Sequence, residues 1–269
     1  MSPRPRHSTP RHLQAWRALR LGIHLLQGVL TVALLFPVYG VRRREAAVAR
    51  WSAGLLAILN VAPRVHGLPS GDGSRPRVLV ANHVSWLDIQ VIHAVWQIRF
   101  VAKSEVRDWP LIGWLSARTG TLFIERGSGR HAARINQAIH AAFEQGFAVG
   151  VFPEGTTTEG DRLGKFHASL LQPAVDEVAL VCPVALRYVA DEGELCVAAS
   201  YVGETTLLES MRAILAQPRI EAQLHFLPSI DAKGRTRREL AQLTQQAIAE
   251  KLNLPVSGTT PGTPADPPA

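Results

Sequence analysis

The sequence predicts an α/β protein: a mostly parallel sheet flanked by helices, preceded by an N-terminal membrane-associated helical hairpin. Three observations predict it. From Arg77 onward, short Val/Ile-rich runs alternate with helical patterns, as strand–helix–strand units with helices on both sheet faces require. Ahead of them, Leu21 to Tyr39 is an uncharged, mostly apolar run, LGIHLLQGVLTVALLFPVY. Hydrophobic residues make up 46% of the 269 residues and charged residues 19%. That is enough apolar surface for a full core and too much for a disordered chain.

The N-terminal elements come first. Residues 1–20 are rich in Arg and contain Pro. As a helix, the apolar run would extend roughly 28 Å, close to the hydrocarbon thickness of a bilayer. His24, Gln27 and Pro37 weaken it, and Arg42, Arg43 and Arg44 follow it. A second apolar stretch, Val48 to Val61, carries Arg50 and Trp51 and is too short to span alone. A cleaved signal peptide is disfavoured, because no small-residue cleavage site ends the run. One spanning helix and a hairpin embedded in one leaflet both fit. Arg11, Arg17 and Arg20 oppose Arg42 to Arg44 and so blunt the positive-inside rule. A pair of core helices in a soluble domain is the bland alternative. The membrane alternatives put arginines at anionic headgroups, where each contributes about 1 kcal/mol.

The strand candidates beyond are Val78–Ala81, Arg99–Ala102, Thr121–Ile124, Ala148–Phe152, Ala179–Ala185, Leu195–Tyr201 and Gln223–Leu227. The helix candidates are Trp86–Trp96, Leu111–Ala117, His131–Gln145, Ala168–Val175, Leu207–Ala216 and Arg237–Leu252. The segment from Ala179 to Tyr201, turning at Ala190–Gly193, has the pattern of an antiparallel hairpin. Gly67–Pro76 has the composition of a linker, and Pro255–Ala269 that of a disordered tail. The expected organisation is therefore a basic N-terminus with membrane-associated helices (1–66), a catalytic domain (67–254) and a tail (255–269).

A net charge of +7 and a pI of about 10.1 favour anionic partners. No nucleic-acid motif appears, so lipid headgroups and phosphorylated cosubstrates are expected over nucleic acid. The two cysteines, Cys182 and Cys196, lie in apolar runs and are expected as buried thiols of a reducing compartment.

The chemistry concentrates at strand ends. Asn82-His83-Val84-Ser85-Trp86-Leu87-Asp88 follows the strand candidate Val78–Ala81 directly, where α/β sheets place their sites. With Ser85 as N-cap and a helix from Trp86, Asp88 falls in the first turn and His83 outside it. The loop can then fold the imidazole back onto the carboxylate. A neutral imidazole takes a proton from an alcohol, while an Asp fixes its tautomer and steadies the imidazolium. The spacing alone is weak: ten His and eight Asp give about 0.3 chance matches in this length. Ser85-x-x-Asp88 is also a capping-box pattern, which explains Asp88 without catalysis.

Three further strand ends add weight. Phe152-Pro153-Glu154-Gly155-Thr156-Thr157 follows a strand with backbone N–H groups able to face an anion. Gly120–Arg126 ends in a guanidinium suited to phosphate, and Val101–Glu105 carries Lys103. In a parallel sheet, His83, Lys103, Arg126 and Glu154-Gly155 converge on one edge. An ordinary strand-to-helix turn and surface cations are the bland alternatives for each taken singly.

Together these blocks resemble the glycerolipid acyltransferases typified by 1-acyl-glycerol-3-phosphate acyltransferase. NHVSWLD (Asn82–Asp88) is similar to that family's His-x4-Asp motif. GTLFIER (Gly120–Arg126) and FPEGTT (Phe152–Thr157) are similar to its second and third motifs, and Val181-Cys182-Pro183-Val184 to its fourth. The resemblance runs from about Arg77 to Ile230, and to residues 12–61 by position only. It implies a catalytic dyad of His83 and Asp88, with acceptor binding by Arg126, Glu154, Gly155 and Thr156; Lys103 is expected to join them from its place at a strand end. It also implies an acyl thioester cosubstrate, on coenzyme A or acyl carrier protein, with no resident cofactor or metal. The acceptor would be a lysophospholipid, first 1-acyl-glycerol-3-phosphate, and the place the cytoplasmic side of the inner membrane. The chain departs from the pattern where many members carry Arg, at Thr157, and where many carry Lys, at His167. Those lost cations leave lyso-ornithine lipid or another lysolipid as the alternative acceptor.

Two rivals belong to other classes. A metal-dependent hydrolase would need a third ligand that the spacing does not offer, and a Ser hydrolase would need a Gly-x-Ser-x-Gly elbow that the chain lacks. A non-catalytic lipid-binding protein on the same fold is the remaining one.

Overall fold

The computed structural model describes residues 8–68, 75–124, 129–190 and 193–256, without the side chains of residues 129–135. In chain order it contains α1 (Arg11–Leu30), continued by a π-helical turn (Thr31–Leu35), α2 (Val41–Leu59), β1 (Val61–His66), β2 (Arg77–Ala81), α3 (Leu87–Val95), β3 (Ile98–Lys103), α4 (Ile112–Arg118) and β4 (Leu122–Ile124). There follow α5 (Gly129–Glu144), β5 (Ala148–Val151), α6 (Gln172–Asp176), β6 (Leu180–Ala190), α7 (Leu207–Leu215), β7 (Ile220–Phe226), β8 (Ile230–Asp231) and α8 (Arg237–Leu252).

The strands form one sheet in the order β1-β7-β6-β2-β5-β3-β4, with β8 also on β6. β6 runs antiparallel to β7 and β8; every other pairing is parallel. The sheet is therefore mostly parallel, as its βα alternation predicts. Its two faces bury different residues of the same strand. On β2, Leu79 and Ala81 pack with Leu55, Leu56 and Leu59 of α2 and Leu87 and Val91 of α3. Val78 and Val80 pack with Leu240 and Ile248 of α8 on the other face. A strand covered on both faces has no need of polar alternation.

The structure corrects three expectations. Leu195–Tyr201 is not a strand: Leu195 makes a single bridge to Val189, and Val197–Ala199 is a 3₁₀ turn. The long antiparallel ladder of β6 is with β7, paired from Val184↔Phe226 to Ala190↔Ile220. The 195–201 run is apolar because Cys196 and Ala199 are buried against the core, not because it joins a ladder. Ala168–Val175 is not one helix but a 3₁₀ turn followed by α6, with Pro173 at its start. Proline has no N–H to carry the helical ladder back into the preceding turn. Finally, Val61–His66 forms an edge strand ahead of the expected linker. Pro63 argues against a strand except at an edge, and β1 pairs only with β7.

α1 and α2 differ in what they bury. α2 buries Ser52, Leu55, Leu56, Ile58 and Leu59 and leads directly into β1, so it packs as part of the sheet's covering layer. α1 touches it along a narrow stripe. Trp51 Nε1 donates to the His24 carbonyl at 3.0 Å, and the two rings stack at 5.1 Å. A Cβ on Gly28 would lie 2.5 Å from Trp51 Nε1, so that helix crossing needs glycine. The outer face of α1 is apolar and open: Trp16, Leu19, Ile23, Leu26 and Leu34 are all more than half exposed. Arg11–Leu35 is long and apolar enough, by length and composition, to cross a membrane. The expected tail lies almost wholly outside the described residues.

Two outcomes follow from this packing. Leu59→Ala should lower the unfolding free energy by about 2–5 kcal/mol, as for buried leucines generally. Leu26→Ala, on the open face of α1, should leave it unchanged in detergent solution; chemical denaturation compares them. The second concerns His93, which is buried at the end of α3 with no hydrogen-bond partner for Nδ1. Burial, with Arg99 adding to it, depresses its pKa to about 4. The unfolded chain then binds the extra proton, so stability is complete above about pH 6.5 and falls as pH drops toward 4, by up to about 3 kcal/mol. His93→Gln should flatten the dependence of the urea midpoint on pH across that window.

Candidate active site

β2 ends at Ala81 and α3 begins at Leu87; the five residues between them carry His83, and the first turn of α3 carries Asp88. Asn82 anchors the loop. Its amide donates to the Leu186 carbonyl at 2.9 Å and its oxygen accepts from the Leu186 N–H at 2.8 Å, extending the β2–β6 ladder by one side chain. The loop backbone is then held residue by residue. The His83 N–H donates to Glu154 Oε1 at 2.7 Å, and the His83 carbonyl accepts from the Thr158 N–H at 2.9 Å. The Val84 carbonyl accepts from the Tyr201 N–H at 2.9 Å.

His83 Nδ1 lies 2.7 Å from Asp88 Oδ2. The same oxygen accepts from the Val84 and Ser85 N–H groups at 2.8 and 3.0 Å, and Oδ1 accepts from the Tyr188 hydroxyl at 2.8 Å. Asp88 is fully buried, so its charge is tolerated only because four donors surround it. Burial and the neighbouring Asp88 push the Tyr188 hydroxyl well above its ordinary pKa, which keeps it a donor. A carboxylate can only accept, so Nδ1 carries a ring proton, and in the neutral ring the free lone pair falls on Nε2. The His83 side chain keeps 20% of its exposure, so the base is half-open. Its ring is held flat against Phe152, at 4.0 Å and 12°, and Phe152 stacks in turn on Phe100.

Ser85 does not cap α3 with its side chain: its Oγ is buried without a hydrogen-bond partner. The cap runs the other way, from the Asp88 carboxylate back to two N–H groups. Asp88 thus serves the capping-box role and the dyad at once.

The other strand ends share this edge. β5 lies beside β2, β3 beside β5 and β4 beside β3, all in parallel, so Glu154, Lys103 and the end of β4 stand on the side where His83 stands. Lys103 is exposed. Arg126 lies outside the described residues. Thr156 is exposed and Gly155 half-buried, with a positive φ of 67° at the turn. Glu154 is placed differently from the expectation of acceptor binding. It is 4% exposed and both its oxygens face backbone, Oε1 the His83 N–H and Oε2 the Gly164 N–H at 2.6 Å. Burial raises its pKa, opposed by those two donors. Gly164 must be glycine for this approach, since a Cβ there would lie 2.8 Å from Oε2. Thr157 turns its hydroxyl to the Tyr201 carbonyl. Tyr188 and Gly164 escaped the sequence reading; Phe152 and Asn82 had no role assigned there, although each opens a motif block, FPEGTT and NHVSWLD. Among the described residues no cluster of three or more His, Cys, Asp or Glu could hold a metal ion. Cys182 and Cys196 are buried free thiols.

A buried, fully bonded carboxylate orienting a half-exposed imidazole beside a cation-bearing sheet edge can take a proton from a hydroxyl. Comparison with known proteins agrees with such chemistry. The chain matches the family model described as Acyltransferase over residues 62–187, from β1 into β6, which spans the dyad and the FPEGTT block. It is 40% identical over 206 residues to a lyso-ornithine lipid O-acyltransferase of Pseudomonas aeruginosa, covering 76% of this chain and 78% of that one. It is 35% identical over 189 residues to a 1-acyl-sn-glycerol-3-phosphate acyltransferase of Neisseria meningitidis, covering 70% and 73%. The crystal structure of the 1-acyl-sn-glycerophosphate acyltransferase of Thermotoga maritima shares the fold, with a TM-score of 0.63 at 20% identity over 89% of this chain and 96% of that one. From these matches, the chain belongs to the acyltransferase family, as an O-acyltransferase.

Proposed function

We propose that this enzyme moves a fatty acyl chain from an acyl thioester, on coenzyme A or acyl carrier protein, to the free hydroxyl of a lysophospholipid, with 1-acyl-glycerol-3-phosphate as acceptor. The observation that carries the reading is the 2.7 Å contact between His83 Nδ1 and Asp88 Oδ2, which leaves Nε2 unprotonated on a half-open face. Nε2 takes the proton of the acceptor hydroxyl as its oxygen attacks the thioester carbonyl. Asp88 steadies the imidazolium. The tetrahedral intermediate collapses with loss of the thiolate, which receives the proton from His83. The alcohol attacks directly, so no acyl-enzyme forms.

Lys103 and Arg126 hold the acceptor phosphate, and Gly155 and Thr156 shape its pocket. Glu154 acts through His83: it fixes the backbone of the dyad loop to the loop after β5. The N-terminal apolar helix keeps the enzyme at the cytoplasmic face of the inner membrane, where the lipid acceptor and the soluble donor meet. A second acceptor, lyso-ornithine lipid, is favoured by two observations. Thr157 stands where many members carry Arg and turns its hydroxyl to backbone. A relative that shares 40% identity carries that name.

His83→Ala should lower acyl transfer by about 10²–10⁴-fold or more, while leaving membrane association intact. Turnover near wild type would refute the dyad. Lysolipid binding without product in the wild type would point to a binding protein instead. Labelled acyl donors offered with both lysolipids side by side decide the acceptor from the labelled product. Glu154→Gln places an amide NH₂ against a backbone donor. We expect kcat to fall at least about tenfold with the KM for lysolipid unchanged. A rise in KM alone would return Glu154 to the acceptor.

A further inference from the structure

The dyad occupies the C-terminal end of the parallel strands; the opposite end holds a second polar cavity. Arg99 near the start of β3, Thr119 and Gly120 before β4 and Phe147 before β5 close it from one side. Phe36 and the first turns of α2 close it from the other, around about 320 Å³. Three arginines line it, Arg44, Arg99 and Arg118, against one carboxylate, Glu45. The lining therefore keeps two positive charges in excess.

Arg99 is built into place. It donates from Nη1 to the Thr119 carbonyl at 2.9 Å, and its guanidinium lies 3.7 Å over the Phe147 ring. Gly120 leaves it room, since a Cβ there would meet Nη1 at 2.6 Å. Glu45 Oε1 stands 3.7 Å from Arg99 Nη2, too far for a hydrogen bond, and is buried without a donor. The pair leaves part of the Arg99 fork uncommitted. Arg44 and Arg118 are exposed at the mouth, their guanidinium carbons 5.8 and 5.9 Å from the Phe36 and Trp114 ring centres. Arg44 Nε donates to the Tyr39 carbonyl at 2.9 Å, which fixes its guanidinium and leaves the Nη groups for an anion.

The mouth also borders an open apolar segment, where Leu34, Leu35, Val38 and Val41 are exposed. An anion that arrives attached to acyl chains satisfies both surfaces at once; a free aqueous anion satisfies only one. We propose that this cavity binds the phosphate of an anionic lipid headgroup, separately from the acceptor at the other end of the sheet. It stands whether or not the acyl-transfer reading holds.

The test is native mass spectrometry of the full-length protein in detergent, titrated with phosphatidylglycerol, phosphatidylcholine or inorganic phosphate. We expect a single retained phosphatidylglycerol per chain. Retention should weaken at least about tenfold in the Arg44→Ala, Arg118→Ala double variant, whose circular dichroism spectrum should match the wild type because both side chains are exposed, and stay unchanged in His83→Ala. Equal retention by wild type and the double variant would overturn the site. So would equal retention of phosphatidylcholine, whose choline neutralises its phosphate. Inorganic phosphate bound as tightly as the lipid would assign the cavity to a free anion and overturn the lipid assignment.

Discussion

A single buried carboxylate organises the reactive end of this molecule. Asp88 has no access to water, and a charge in that position survives only if donors replace its hydration. They come from three directions: the imidazole it orients, two N–H groups of its own helix start, and a tyrosine on β6. Because Oδ2 is fixed by two backbone N–H groups and Oδ1 by the Tyr188 hydroxyl, the carboxylate presents the imidazole with one orientation. Losing the Tyr188 hydroxyl would leave the buried Oδ1 without its donor, so the same network serves the fold and the chemistry.

Glu154 performs the matching task for the backbone. Its two oxygens tie the N–H of His83 to the N–H of Gly164, joining the loop after β2 to the loop after β5. Thr158 closes the same junction from the other side through the His83 carbonyl. Neighbouring parallel strands deliver these loops to one edge, and a carboxylate with no water available makes the junction rigid. A motif residue that resembles a ligand for substrate is, by its contacts, a brace for the His83 loop.

The helical hairpin is bound into this architecture unequally. α2 supplies core to the same face as α3 and passes into β1, whereas α1 adds only a narrow stripe set by Gly28 and Trp51. The open apolar face of α1 is therefore carried on a rigid support instead of a flexible tether. A membrane contact made through it would hold the sheet, and with it the dyad, at a fixed distance from the lipid.

The sequence by itself determined the α/β class, most element positions, the length and character of the N-terminal apolar helix, and the His83–Asp88 pairing. Hydrophobic periodicity and short-range spacing are local quantities, and five residues across a strand-to-helix turn can only meet if the turn is tight. It did not determine the partner of β6, because the apolar Leu195–Tyr201 run and β7 carry the same burial signal and only sheet packing chooses between them. Nor did it reveal β1, whose Pro63 is acceptable only at an edge, a position defined by the other strands. Tyr188, a hundred residues from Asp88, and the backbone targets of Glu154 came from tertiary structure alone. Their chemistry depends on which donors are brought beside a desolvated carboxylate, and no spacing along the chain encodes that.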